Sequence, residues 1–470
     1  MSRRSDRRTA RRRRGVFLVG SLLLMTGIAG LIAIVQTRAL GEVRLSQQAA
    51  SMQQAAELAE AGIDQAFATL LQDPYEAPLP YDCPADPLPG GGMSTCRMTD
   101  GGGMLRQITA TGSAHGVQQA MEVMVEMVDS PLFRWAAFGE ESVEFDAGGL
   151  VDSYDSSLGM PYAPCDPDPG PCPAEASVQT NNSNDAAIRQ TGDVDEPLEL
   201  FGDATIGPGG SPSSGIAIGP NSTIYGQRRE APYPVKLPAI TPPAGSVAGT
   251  PYTACAGGTN FESLNIDSGW DISRLTIPSN CFVWVTGIPI DAVVHLDEIH
   301  MASDAQLAFS GGDSVTVVID KLDMETNAII ANSTTNTRLA MYVREDLEIR
   351  DGAGFANGSR APDKFALYVE GEQEFDLRGA TWWGSPQHFY GVVYAPESDV
   401  TLDAEGFGSG NPDPNEFFGS FVAKELEFHG RIEGTINKPI RVHYDRNLLN
   451  QDGALVPAIR YWGIKPPQDP

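Results

Sequence analysis

The chain has 470 residues and a formal charge of −29. Apolar residues make up 41% and charged residues 20%, which excludes global disorder; 50 Gly and 35 Pro exclude a mainly helical bundle. Positive charge is concentrated at one end: residues 1–14 hold eight Arg against one Asp, +7 in all, so the other 456 residues carry −36 and will not bind nucleic acid by counter-ion release.

Arg3, Arg4, Arg7, Arg8 and Arg11 to Arg14 form a basic segment, residues 1–14. Gly15 to Thr37 then runs 23 residues without a charge. As a helix that run is about 35 Å long, enough for a bilayer core of ~30 Å, so 15–37 is predicted as a transmembrane helix. A signal peptide has a shorter apolar region and a small-residue cleavage site. The positive-inside rule places the Arg block in the cytoplasm and 38–470 outside. The expected location is the inner membrane, single pass, with a periplasmic or cell-surface ectodomain. Residues 38–72 lack Pro and are rich in Ala, Gln, Glu and Leu. Met52, Ala55/Ala56, Ala59, Ile63, Ala66/Phe67 and Leu70 recur at helical spacing, which predicts an amphipathic stem ended by Asp73-Pro74.

The order of Arg block, Gly15-Val-Phe-Leu-Val19, apolar span, Glu42, Ala49-Ala50, Gln53-Gln54 and Ala56-Glu-Leu-Ala-Glu-Ala-Gly-Ile63 resembles the PilX-type N-terminal segment of minor type IV pilins. The resemblance covers about 60 residues. It implies processing after Gly15, and partners that are the lipid bilayer and other pilin-like or pilus-assembly subunits met through the stem. Counting from Val16, the fifth residue is Gly20, where major type IV pilins carry Glu.

Beyond the stem the pattern is β. Leu105-Arg-Gln-Ile-Thr-Ala-Thr111 and Ala120-Met-Glu-Val-Met-Val-Glu-Met-Val128 alternate, with 112–116 as the turn region, so 73–132 is read as a small pilin-like β region. From Phe133 onward short apolar strands recur between turns. Met341, Leu367 and Val393 begin similar units at steps of 26 residues. A repeat of that length suggests a parallel β-helix, with a β-sandwich as the rival. The fold class is therefore mainly β: a transmembrane and stem helix, a small sheet, then a solenoid ectodomain. Its parts are 133–227 as the first stretch of β-helix, 228–262 as a Pro-rich loop or linker, 263–446 as the main β-helix and 447–470 as a tail. If the units stack, Tyr342, Tyr368 and Tyr394 occupy equivalent outward positions and Met341, Leu367 and Val393 equivalent inward ones.

Val151-Asp-Ser-Tyr-Asp-Ser-Ser157, Phe201-Gly-Asp-Ala-Thr-Ile-Gly-Pro-Gly-Gly210, Tyr390-Gly-Val-Val-Tyr-Ala-Pro396, Phe418-Gly-Ser-Phe-Val-Ala-Lys424 and the closing Val442-His-Tyr-Asp445 resemble a bacterial ectodomain joined to PilX-type N-termini. That resemblance implies an architecture and no reaction.

Six cysteines, Cys83, Cys96, Cys165, Cys172, Cys255 and Cys281, follow the span and fit an oxidising compartment. They allow fifteen pairings; short loops favour 83–96, 165–172 and 255–281. No CxxC, HExxH, GxSxG or Walker motif occurs, so no metal, cofactor or catalytic residue is assigned. His295 and His300 are five apart and are expected on opposite strand faces. The acidic pairs Asp297-Glu298 and Glu425/Glu427 read as a solvated face, and the Cys165–Gly170 and Asn411–Glu416 segments as ordinary turns rather than Ca²⁺ loops. Asn181, Asn221, Asn332 and Asn357 begin Asn-X-Ser/Thr sequons. Three functions follow: a non-catalytic pilin-related envelope protein, an adhesin or glycan-binding solenoid taking a surface glycan or cell ligand through aromatics such as Trp382-Trp383 or Tyr390, and an anchored carbohydrate-active enzyme.

Overall fold

The computed structural model describes residues 6–465 except 73–79, 84–85, 89–91, 103–104, 147, 157–174, 192–195, 233, 246, 248, 266–271, 290, 312–313, 335–336, 380–387, 404–415, 434–435, 439 and 451–452. The chain is mostly β, with one long N-terminal helix and a parallel solenoid, in two compact units: 1–128 with 455–470, and 129–454.

In the first unit the helix α1 runs unbroken over Asp6–Gln72. Its last third packs on an antiparallel sheet. Ala59, Ile63, Ala66 and Leu70 meet Met98, Ile108, Ala110, Met121, Val123 and Val125, all buried. The sheet residues alternate along Gly92–Gly102, Leu105–Ala114 and Val117–Pro131, so one face is apolar and the helix covers it. Ala114 pairs with Val117, and the two residues between, His115 and Gly116, both have positive φ (50° and 79°). That is the type I′ geometry matching strand twist. The turn is thus two residues long, and Gly112, expected in it, lies in the strand. A further correction concerns the C-terminal segment: Gly453–Lys465, read from sequence as tail, is a strand beside Val117–Pro131. In chain order the second unit is an insertion between two neighbouring strands of this sheet.

The second unit is a stack of three-sided coils. Arg338–Ile349 shows the plan. Its first half forms one side; the register with the preceding strand slips between Ile319 and Lys321, turning the corner; its second half forms the next side. Gly354–Asn357 forms the third, in a separate five-stranded sheet. Every rung pairs parallel with the next. Val294, Val317, Met341, Leu367, Val393, Phe421 and Ala137 make one inward ladder, all 2% exposed or less. Leu402, Phe428 and Phe145 continue another, with the two Phe rings stacked at 4.6 Å.

Order in space differs from order in sequence. Phe421–Phe428 pairs with Ala137–Phe145, and Glu416–Phe418 pairs with Arg441–His443. One rung is therefore built from two segments about 300 residues apart. Residues 133–227, first in the chain, lie beyond the C-terminal rungs, because Val178–Thr180 stacks on Ala137–Gly139, Ala204–Ile206 on that, and Arg228–Glu230 last. The chain then crosses to the other end of the stack and restarts at Thr250–Thr253.

The Pro-rich segment makes this crossing. It contains the strands Arg228–Glu230 and Thr250–Thr253 and the start of Phe261–Asn265, which corrects the reading of 228–262 as loop or linker. Eleven parallel pairings separate those strands along the stack. At about 4.8 Å each they span ~53 Å. Residues 230–250 as polyproline II reach ~62 Å, so the strap is long enough with little slack.

Candidate functional site

Two regions carry functional features. The first is α1. Residues 21–40 are exposed throughout, including Leu22, Leu24, Ile28, Leu31, Ile34 and Val35, and this stretch is long and apolar enough to cross a membrane. Each such side chain forgoes about 1.5–3 kcal/mol of burial in water, which favours an apolar surrounding. Below it the stem meets its sheet through small residues. A Cβ on Gly112 would lie 2.0 Å from the Ala55 carbonyl oxygen and 2.6 Å from the Ala59 nitrogen; one on Gly62 would lie 2.7 Å from Ser94 Oγ. Cys83 and Cys96 are disulfide-bonded at the sheet edge, Cα atoms 5.1 Å apart. Gly15 lies within the helix. Among the stem residues on which the resemblance was read, Leu58, Ala59 and Ile63 are buried on the sheet, while Gln53 Nε2 donates to Glu57 on the outer face.

The second region is the outer wall of the solenoid. Tyr342, Tyr368 and Tyr394 are register partners on successive rungs, ring centroids 4.5 Å and 6.3 Å apart. Their inward neighbours Met341, Leu367 and Val393 are buried. Tyr394 faces outward yet is 2% exposed, because the strap covers it: its hydroxyl donates to the Pro238 carbonyl. Burial, then the neighbouring Tyr342, pushes the Tyr368 hydroxyl up to about 12.

At the two-segment rung, Val442-His-Tyr-Asp445 pairs residue for residue with Val151-Asp-Ser-Tyr154. Tyr390 and Phe418 stack at 4.5 Å, Phe418 and the His443 ring at 4.5 Å, and His443 Nδ1 meets Asp152 Oδ1 at 2.6 Å with both residues buried. An ionised carboxylate only accepts, so the ring nitrogen donates. Glu416 Oε2 lies 3.8 Å from His443 Nε2 and 3.7 Å from His388 Nε2, and Arg441 bonds its other oxygen at 3.0 Å. The trio does not suit a metal. The Glu416 amide donates to His388 Nδ1 at 3.2 Å, which puts the ring proton on Nε2 and removes that lone pair. Groups able to hold a metal are absent among the described residues. The cluster instead seals the rung, with Tyr444 Oη donating to the Phe133 carbonyl at 2.9 Å. Asp445 accepts from the Ser156 amide (3.1 Å), the Ser156 hydroxyl (2.6 Å) and the Asn447 amide (3.1 Å). Burial raises the Asp445 carboxyl, against these bonds.

The other candidate residues lie apart from one another. Cys255 and Cys281 are disulfide-bonded, Cα atoms 6.2 Å apart, tying the end coil to its neighbour. Cys165, Cys172, Trp382-Trp383 and 411–415 lie outside the described residues. Glu298 pairs with Arg274 at 2.7 Å and Glu427 with His429 at 2.8 Å, while Asp297 and Glu425 are exposed. His295 and His300 share the outer face, not opposite ones. Leu296 and Ile299 both point inward with two residues between them, so the corner reverses the alternation. Of the sequons, Asn332 and Asn357 are buried register partners. Asn332 Nδ2 donates to the Thr337 and Lys364 carbonyls, and Asn357 Nδ2 to those of Ala361 and Tyr390. They brace the turns into the next coil and are closed to glycan attachment. Sequence reasoning missed Asn181 and Pro238 as strap contacts; the density of prolines was the available signal.

Residues 293–451, about a third of the chain, match the family described as Domain of unknown function (DUF7305). This stretch runs from the strand Ala292–Met301 through the closing strand Ile440–Asp445. No curated protein matches the chain. Among solved structures it is similar to the competence-associated pilin ComZ from Thermus thermophilus, at 10% identity over 88% of this chain and 97% of that one, with a TM-score of 0.28. A likeness that weak carries nothing about fold or role.

Proposed function

We propose that the chain is a non-catalytic, membrane-anchored, pilin-related envelope protein, a PilX-like minor pilin or pilus-assembly component. The observation that carries this reading is the division of α1. Residues 21–40 expose an apolar surface, whereas Ala55 to Leu70 are committed to the sheet. A helix so divided inserts one part in lipid or among neighbouring helices and displays a folded domain with the other. The Arg-rich start keeps its end in the cytoplasm, so the solenoid stands outside the inner membrane, presented to partners that meet the stem. Protease added to intact spheroplasts should digest residues beyond Arg38 and leave the chain in the membrane pellet; protection of the bulk until lysis would refute the orientation. Mass analysis of the purified N-terminus separates the two finer roles. A chain beginning at Val16 fits a processed minor pilin recovered in sheared filaments, and one retaining the Arg block fits an assembly component that stays in the membrane.

A further inference from the structure

The strap makes specific contacts along the stack. Val235 donates its amide to Asn181 Oδ1 at 2.7 Å and accepts from Asn181 Nδ2 at 2.6 Å, so one side chain pairs with this backbone as a strand would. Three residues on, the Pro238 carbonyl accepts from Tyr394. Leu237 and Ile240, also three apart, pack against the solenoid core. Polyproline II has three residues per turn, so each pair returns to the same side. Lys236 and Ala239, on the third side, are exposed. Further along, Gly245 lies against the His295 ring, where a Cβ has no room. As polyproline II, Pro238 to Gly245 would reach about 22 Å, against ~19 Å over the four rungs from Tyr394 to His295.

We propose that Asn181 and the Tyr342–Tyr368–Tyr394 row form a recognition groove for extended proline-rich polypeptide, occupied in cis by residues 234–245. The chemistry is that of proline-peptide recognition: a row of aromatic rings, Tyr342 stacked on Tyr368 and Tyr394 edge-on to it, a hydroxyl aimed at a carbonyl, and a ligand already stiff enough to lose little entropy on docking. The seated strap shows what a ligand needs. It must offer an amide and carbonyl to Asn181, a carbonyl three residues later to Tyr394, and aliphatic side chains two and five residues after the first contact.

The test uses the full chain in detergent, with residues 235–243 replaced by Gly and Ser at equal length, and a labelled synthetic peptide of residues 234–245 as probe. The replaced chain should bind the peptide saturably, and the unaltered chain at least about tenfold more weakly, since the tethered strap competes. Tyr394→Phe and Asn181→Ala in the replaced chain should each weaken binding several-fold, and a peptide with Ser for every Pro should not bind. A replaced chain that keeps its near-ultraviolet tyrosine signal but binds no peptide, or binds the Ser peptide equally, overturns the proposal. Should the replacement prevent folding, a protease site placed at the exposed Ala244-Gly245 decides. Uptake of labelled peptide only after cutting supports the groove. No uptake by the cut chain, or its collapse on cutting, shows that the strap acts as a covalent loop and overturns it.

Discussion

Leu367 is the position at which the solenoid is most directly tested. It is fully buried between Met341 and Val393 in the inward ladder. Truncating a buried Leu to Ala costs about 2–5 kcal/mol, set by how far the surroundings relax. Here parallel pairing holds the rungs on both sides and limits that relaxation. Asp at the same position adds an unpartnered polar group, worth about 1–3 kcal/mol even when neutralised, so Leu367→Asp should cost ~4 kcal/mol or more, a large share of a typical stability of ~5–15. Because the buried carboxyl is favoured neutral, the defect should ease as pH falls. Glu370 is the control, on the same strand end but outward, 3.9 Å from Arg344 and half-exposed; Glu370→Ala should change stability by less than about 1 kcal/mol. Solenoids are stabilised largely through nearest-neighbour coils, so hydrogen exchange on the full chain should show Leu367→Asp loosening 339–343, 365–369 and 392–394 most. Equal effects of the two substitutions, or loosening confined to distant rungs, would refute the stacked ladder.

Gly112→Val should detach the stem from its sheet, since the Ala55 backbone occupies the space its side chain needs; limited proteolysis within 55–72 should rise sharply, with the solenoid unaffected. Removing the Cys255–Cys281 bond by paired Ala substitution opens a loop closed over a separation of 26 residues and should cost ~2–4 kcal/mol, read as faster exchange in Thr250–Thr253 and Phe261–Asn265. His429 gives a pH signature. Burial lowers its affinity for a proton, but the bond to Glu427 and the charges of Glu427, Asp146 and Asp403 outweigh that, and the net shift is upward from 6.5. The stabilisation is full below the unfolded value and is lost as pH rises through the raised folded one. His429→Gln should therefore lower the unfolding temperature near pH 5.5 and leave it unchanged above pH 8; an equal drop at both would remove the assignment.

The sequence by itself determined what depends on composition and short-range periodicity. The apolar span after an Arg block marked the candidate membrane helix, and the stem stripe at Ala59, Ile63, Ala66 and Leu70 named the face that the sheet covers. The 26-residue step placed Tyr342, Tyr368 and Tyr394 on one line, since residues repeated once per coil must stack. Only the tertiary structure decided which distant segments meet. A parallel rung needs its partner's backbone edge and a matching inward side chain, and many segments here offer both. Nothing local marks Ala137–Phe145 as the neighbour of Phe421–Phe428, His443 as the partner of Asp152, or Gly453–Lys465 as a strand. The corner that leaves His295 and His300 on one face inserts a single residue into the alternation, a shift that a count of five cannot reveal. Prolines in 228–262 announced an extended chain, but its role as a strap follows from where the two ends of the stack lie, a property of the folded coil order and of no residue within the segment.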